Sequence, residues 1–200
     1  RRTKAMIARE NGLEPLLQAI LADRAAQPEA LAAGYLSDAV PGIKEALEGA
    51  RDILAETLTE DAALLGRLRD FMRAEALITA KVVPGKEEAG AKFSDYFDHR
   101  EGWGKIPSHR ALAILRAAKE EVVTVDIAPD PETGAPRAVT MVAAAIGITG
   151  DKPGDEWLRK AAGWTWRVKL SLSMYVDLMG DLRQRAHEEA IAVFARNLKD

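Results

Sequence analysis

Two hundred residues with 48% hydrophobic content are enough to bury a core, so a globular unit of one or two lobes is expected. Twenty-eight Lys and Arg against 31 acids leave a net charge of -3 with no basic segment, which excludes a general electrostatic grip on nucleic acid. The absence of cysteine excludes disulfides, thiolate chemistry and sulfur-rich zinc sites, and no apolar run reaches the roughly 18 to 20 residues that span a bilayer, so a cytoplasmic protein with no membrane partner is expected.

The chain opens "RRTKAMIARE", without an initiator Met and already inside helical apolar spacing, as expected of a piece cut from a longer polypeptide. Asn11-Gly12 is a usual helix C-terminus, and a second helix runs from about Glu14 to Arg24. Helix, glycine turn and helix invite a DNA-reading helix-turn-helix, but the second helix holds more acids than bases, so plain helical packing is the better reading. Ile43, Ala46, Leu47, Ala50, Ile53, Leu54 and Leu58 recur at three and four and predict an amphipathic helix. Thr59 is the expected N-cap of the next helix, whose inner face is Leu64, Leu65, Leu68, Phe71 and Met72.

Pro84-Gly85 breaks the pattern, and Ala89, Phe93, Tyr96 and Phe97 make a short stripe before the loop "REGWGKIP". "PSHRALAILRAAK" predicts a helix with Ser108 as N-cap. "EEVVTVDI" alternates like a strand, a short β element near 121–128 that needs a partner elsewhere. "APDPETGAP" and "TGDKPGDE" are loops, and the apolar helix between them, about Ala138 to Gly147, is expected to be buried. After Asp155 no proline occurs, and Ala161, Thr165, Val168, Leu172, Tyr175, Met179, Leu182 and Ala186 step by four and three. The spacing predicts one scaffold helix of about 40 residues, or two broken near Gly180. The fold class expected is therefore mainly α, in three consecutive segments: 1–83, 84–154 and the long helix 155–200.

Lys92 to Leu115, "KFSDYFDHREGWGKIPSHRALAIL", gathers the side chains that carry chemistry. On a helix, Asp95, Asp98 and His99 would share a face at i, i+3 and i+4, but no second His or Glu-x-x-His pair accompanies them, and a solvated helix end is preferred to a metal site. His109 and Arg110 at a helix start, with Lys105 and Arg116, could receive a phosphate. The alternative, preferred, is that His109 packs under the Trp103 loop while Arg110 pairs with Asp98 or Glu101. Trp164 and Trp166 point to opposite sides of a helix, one toward the core and one toward a second layer. No nucleophile elbow, Walker loop or Gly-x-Gly-x-x-Gly occurs, so no catalytic residue, metal or cofactor is expected.

"EGARDILAETLTEDAALLGRLRDFM", "GKEEAGAKFSDYFDHREGWGKIPSHRALAILR" and "GWTWRVKLSLSMYVDLMGDLRQRAHEEAIAVFARNLKD" resemble the bacterial Tex family of transcription accessory proteins, and the likeness covers nearly the whole chain. The resemblance implies a helical region that precedes an RNase H-like domain, helix-hairpin-helix modules and an RNA-binding OB-fold. It implies a non-catalytic scaffold for those domains or, alternatively, a module that docks RNA polymerase or another factor. Nucleic acid, RNA or DNA, is then expected to bind through the full-length protein, weakly or not at all through this piece. Where family members continue Arg-Gly-Arg-Asn-Glu, this chain has Arg116-Ala117-Ala118-Lys119-Glu120, which weakens a basic contact there. Lys105, His109, Arg110 and Arg116 are the expected contact residues, with Phe93, Tyr96, Phe97, Trp103 and Ser108 as a structural joint.

Overall fold

The computed structural model describes residues 1–199; Asp200, the last residue of the expected long-helix segment, lies outside them. Two compact units are each assembled from two stretches of chain, Arg1–Arg67 with Arg137–Leu170 and Leu68–Pro136 with the chain from Ser171 onward.

In the first unit, α1 (Lys4–Glu10) starts where the Thr3 hydroxyl accepts the Met6 N–H at 3.1 Å, and it ends at Asn11, after which Gly12 takes a φ of +78°. α2 (Glu14–Ala22) and α3 (Pro28–Ala32) both carry proline in the first turn, where its missing N–H costs nothing. All three pack on α4 (Ile43–Thr59), where Ala46, Ala50, Ile53, Leu54 and Leu58 of the predicted stripe are buried, Leu47 is half-buried and Ile43 is exposed. α5 (Ala62–Glu75) begins two residues later than expected. Asp61, and not Thr59, accepts the Leu64 N–H at 3.0 Å, while the Thr59 hydroxyl donates back to Glu56 inside α4.

α7 (Ala135–Ile146) buries only Ala138 and Val142 fully, so its apolar composition overstates its burial. α8 (Pro153–Thr165) is tied to the end of α2 at its first turn. Gly154 N–H donates to the Arg24 carbonyl at 2.8 Å, and the Arg24 guanidinium donates to the buried Asp155 carboxylate at 2.8 Å. Asp155 also accepts the Lys152 N–H at 3.1 Å, so the third residue of the helix satisfies the backbone donor at its cap. The Arg24 hydrogen bond holds Asp155 below the usual carboxylate range.

Helix continues from α8 through a π-turn (Trp166–Leu170) into α9 (Ser171–Lys199), 47 residues from Pro153. Gly180 does not break it; the irregularity lies at the π-turn instead. Just before that turn the Thr165 hydroxyl donates to the Ala161 carbonyl at 2.8 Å. The buried positions include Leu158, Ala161, Ala162, Thr165, Trp166, Leu170, Met174, Leu178, Met179, Leu182 and Ala186, whereas Val168 and Leu172 of the expected stripe are exposed. Thr165 to Leu170 is a step of five, as a π-turn requires.

In the second unit, the strand near 121–128 is β3 (Val123–Ala128), reached from α6 (Ser108–Lys119) through Glu121 at a left-handed φ of 61°. Its partners are strands that the sequence reading does not identify. β1 (Leu77–Val82) is central and β2 (Asp98–Gly102) lies on its other side, all antiparallel. Register places Ile78 opposite Glu101 and Ile127, and Ala80 opposite His99 and Val125, on one face. α6 and α9 pack against each other and against β3, with Ala111, Ile114, Ala117, Met174 and Leu178 buried. The opposite face is polar, with Thr79 between Arg100 and Asp126, and Lys81 between Asp98 and Thr124. In the loop after β3, Asp130 accepts the Thr133 and Glu132 N–H groups, each at 2.9 Å, and a bond from Arg100, which pull its pKa down to about 2.

A side chain at Gly154 would place Cβ 2.8 Å from Arg24 Cα and 3.0 Å from its carbonyl oxygen, both backbone atoms that cannot rotate away. Gly154→Ala is therefore expected to destabilise the chain by about 1–3 kcal/mol, read as a lower urea midpoint with an unchanged m-value.

Candidate functional site

The aromatic, basic and acidic side chains of 93–116 meet in the second unit, and most are spent on one another. Trp103 is the centre of the joint. Its indole N–H donates to the Leu178 carbonyl of α9 at 3.1 Å, its own carbonyl accepts from Arg185 at 3.2 Å, and the Arg185 guanidinium stacks 4.6 Å from its ring. Burial lowers the pKa of the Arg185 guanidinium, with Asp181 opposing that trend. Two further bonds join α5 to α9 one helical turn apart, Arg69 to Asp177 at 2.9 Å and Arg73 to Asp181 at 3.2 Å.

Phe93 is buried under a 3₁₀ turn (Ala91–Tyr96), while Tyr96 and Phe97 are half-buried. The Tyr96 ring meets His99 edge-on at 5.6 Å. Ser108 is the first residue of α6, not its cap; Pro107 takes that place and no side chain caps the helix.

The expected contact residues divide. Arg110 turns inward and grips Glu101 with two bonds, 2.7 Å from Nε and 3.3 Å from the second nitrogen. His99 Nε2 lies 2.8 Å from the same carboxylate. Burial raises the Glu101 pKa, but the bonds from His99 and Arg110 outweigh it and leave the group below its usual value. Lys105, His109 and Arg116 are exposed, so His109 does not pack beneath the Trp103 loop. His109 and Arg116 are seven residues apart on α6 and share a side of it, two turns apart.

Asp95, Asp98 and His99 do not share a helix face, because residues 98–102 form a strand and neighbours on a strand point to opposite faces. Asp98 pairs with Lys81 on the polar face, whereas His99 joins Glu101 on the other. Of the two tryptophans, Trp166 is core and Trp164 is half-buried under the Arg51 guanidinium. Arg185 and the Leu178 carbonyl are the working members of the joint that spacing did not reveal, whereas Glu101 is one of the two partners expected for Arg110.

Fold and joint together define a mainly helical region with a small three-stranded antiparallel sheet and a long helix. Residues 23–194 match the family model described as Tex central region-like. The chain is 45% identical over 204 residues to "Transcriptional accessory protein Tex" of Neisseria gonorrhoeae and 44% identical over 207 residues to "Protein YhgF" of Escherichia coli. It is 44% identical over 211 residues to "Protein tex" of Bordetella pertussis. Each alignment covers 100% of this chain and 27% of the relative, so the chain spans about a quarter of the length of the relatives it matches. The chain belongs to the Tex family, in its central region. No helix among the described residues is long and apolar enough to cross a membrane.

The Glu101 cluster makes an acid-dependent contribution to stability. Its folded pKa is depressed, so the contribution is complete above the ordinary value of 4.5 and disappears as pH falls through the folded value. Glu101→Gln is expected to cost about 1–3 kcal/mol near neutral pH. The difference from the parent chain in thermal unfolding should narrow steadily below about pH 4.5, the ordinary Glu value.

Proposed function

We propose that this chain is a non-catalytic helical scaffold within a Tex-type transcription accessory protein, holding nucleic-acid-binding domains that lie elsewhere in the longer polypeptide. The supporting observation is where the reactive-looking side chains go. Arg110 and His99 end on Glu101, Lys81 on Asp98, and Trp103 on the backbone of α9, so they brace elements and do not converge on a substrate. Lys105, His109 and Arg116 are exposed and form at most a secondary contact with nucleic acid or a protein partner.

In a Tex-type polypeptide that contains this chain, Trp103→Ala is expected to lower stability by about 3–5 kcal/mol. RNA binding by the whole polypeptide should weaken with it, measured at one fixed moderate salt. Undiminished RNA affinity in a polypeptide whose Trp103→Ala region has demonstrably loosened would overturn the scaffold reading.

A second reading, docking of RNA polymerase or another transcription factor, draws on one stripe. Ile191, Phe194 and Leu198 of α9 are 56%, 65% and 72% exposed at helical spacing, an apolar edge of the kind proteins cover on association. Retention of purified RNA polymerase by the immobilised chain, lost on Phe194→Asp, would favour it.

A further inference from the structure

In the first unit, α4 and α8 with its π-turn enclose a groove of about 360 Å³ that is not part of the joint. Trp157 and Trp164 line it from α8. They are seven residues apart, so they lie on one side of the helix two turns apart, about 10 Å along its axis. Both indoles are half-buried, which leaves ring surface facing the groove.

Around these rings the charge is one-sided. Lys44, Arg51, Lys160 and Arg167 line the groove with one carboxylate, Glu48, which lies 4.0 Å from Lys44, while Arg51 reaches Asp52 at 3.5 Å beyond the lining. The Arg51 guanidinium lies 3.7 Å from the Trp164 ring centre, and its buried Nε–H makes no hydrogen bond among the described residues. Trp164 also borders a second groove of about 520 Å³ that holds Arg1, Arg2, Lys4 and Lys169 together with Asp52 and Glu56. The π-turn explains part of this arrangement. Trp166 and Leu170 stay buried while Arg167, Val168 and Lys169 between them are exposed.

Flat aromatic faces between cations select a ligand that has both planar rings and regularly spaced negative charge. We infer that this groove binds single-stranded nucleic acid, with a base stacked on Trp157 and the adjoining backbone phosphates against Lys44 and Lys160. A duplex hides its base faces and could use only the cations. A phosphorylated peptide would likewise leave the indole of Trp157 unused. The chain as a whole carries a net charge of -3, so the contact is local and sensitive to salt. The scaffold role does not depend on this site, and the site does not depend on the scaffold role.

The test uses the 200-residue chain and labelled single-stranded oligouridine and oligothymidine of about ten nucleotides, a length suited to one stacking groove. Anisotropy should rise with one or both oligonucleotides at low salt while tryptophan fluorescence is quenched; the two arms show whether the ribose 2′-hydroxyl matters. Trp157→Ala should weaken binding about ten-fold. The double variant K44Q/K160Q, at two exposed positions, should lower the slope of log affinity against log salt by about 1.4. No binding of either oligonucleotide overturns the inference. So does a folded Trp157→Ala chain that binds as tightly as the parent, or one in which inorganic polyphosphate competes equally before and after that substitution, since either outcome describes a plain anion patch.

Discussion

A helix with 3.6 residues per turn cannot keep an apolar contact at every fourth residue without rotating it, because each four-residue step overshoots a turn by about 40°. Leu158, Ala162, Trp166, Leu170, Met174, Leu178, Leu182 and Ala186 are nevertheless all buried, at that spacing, along one helical run. The π-turn at Trp166–Leu170 makes this tolerable by placing extra residue in one turn and setting the face back. It separates two sets of inward residues, Ala161 to Leu170 for one compact unit and Met174 to Ala186 for the other. A regular α-helix through the same residues would bring Val168 and Leu172 inward in place of Leu170 and Met174.

The same helix is held by polar contacts that are few but well placed. At its beginning Arg24 meets the buried Asp155 and the Gly154 N–H meets the Arg24 carbonyl, so the first turn has a fixed partner. In the second unit the Trp103 indole is bonded to the Leu178 carbonyl and stacked against Arg185, while Arg69 and Arg73 reach Asp177 and Asp181. The exposed ion pairs are each worth little in water. The indole is different, since it combines a large buried area with a satisfied N–H.

Much of the fold was legible because helices announce themselves locally. The stripe Ala46 to Leu58, the Asn11-Gly12 terminus and the long final helix follow from spacing and turn chemistry alone. β3 was legible through Val123, Val125 and Ile127. β1 was not, since Leu77, Ile78, Ala80 and Val82 follow directly on a helix and their alternation is short. β2, "DHREG", holds no β-branched residue and is a strand because β1 offers it hydrogen bonds. In the site, the pairing of Arg110 with Glu101 could be anticipated from charge and proximity. The exposure of His109, the capture of Trp103 by Arg185 and the facing of Trp157 toward Arg51's helix could not, because the partners are distant in sequence.

The amino-acid sequence by itself determined that this chain is mainly helical, contains no cysteine, carries a long helix after Asp155 and belongs with the Tex proteins. These follow from composition, from periods of three and four residues, and from long distinctive phrases. Only the tertiary structure decided which face of the long helix is inside, which strands pair, and which of the charged and aromatic residues remain available. Those outcomes depend on the phase set by the π-turn and on contacts between residues dozens of positions apart, neither of which leaves a periodic trace in the chain.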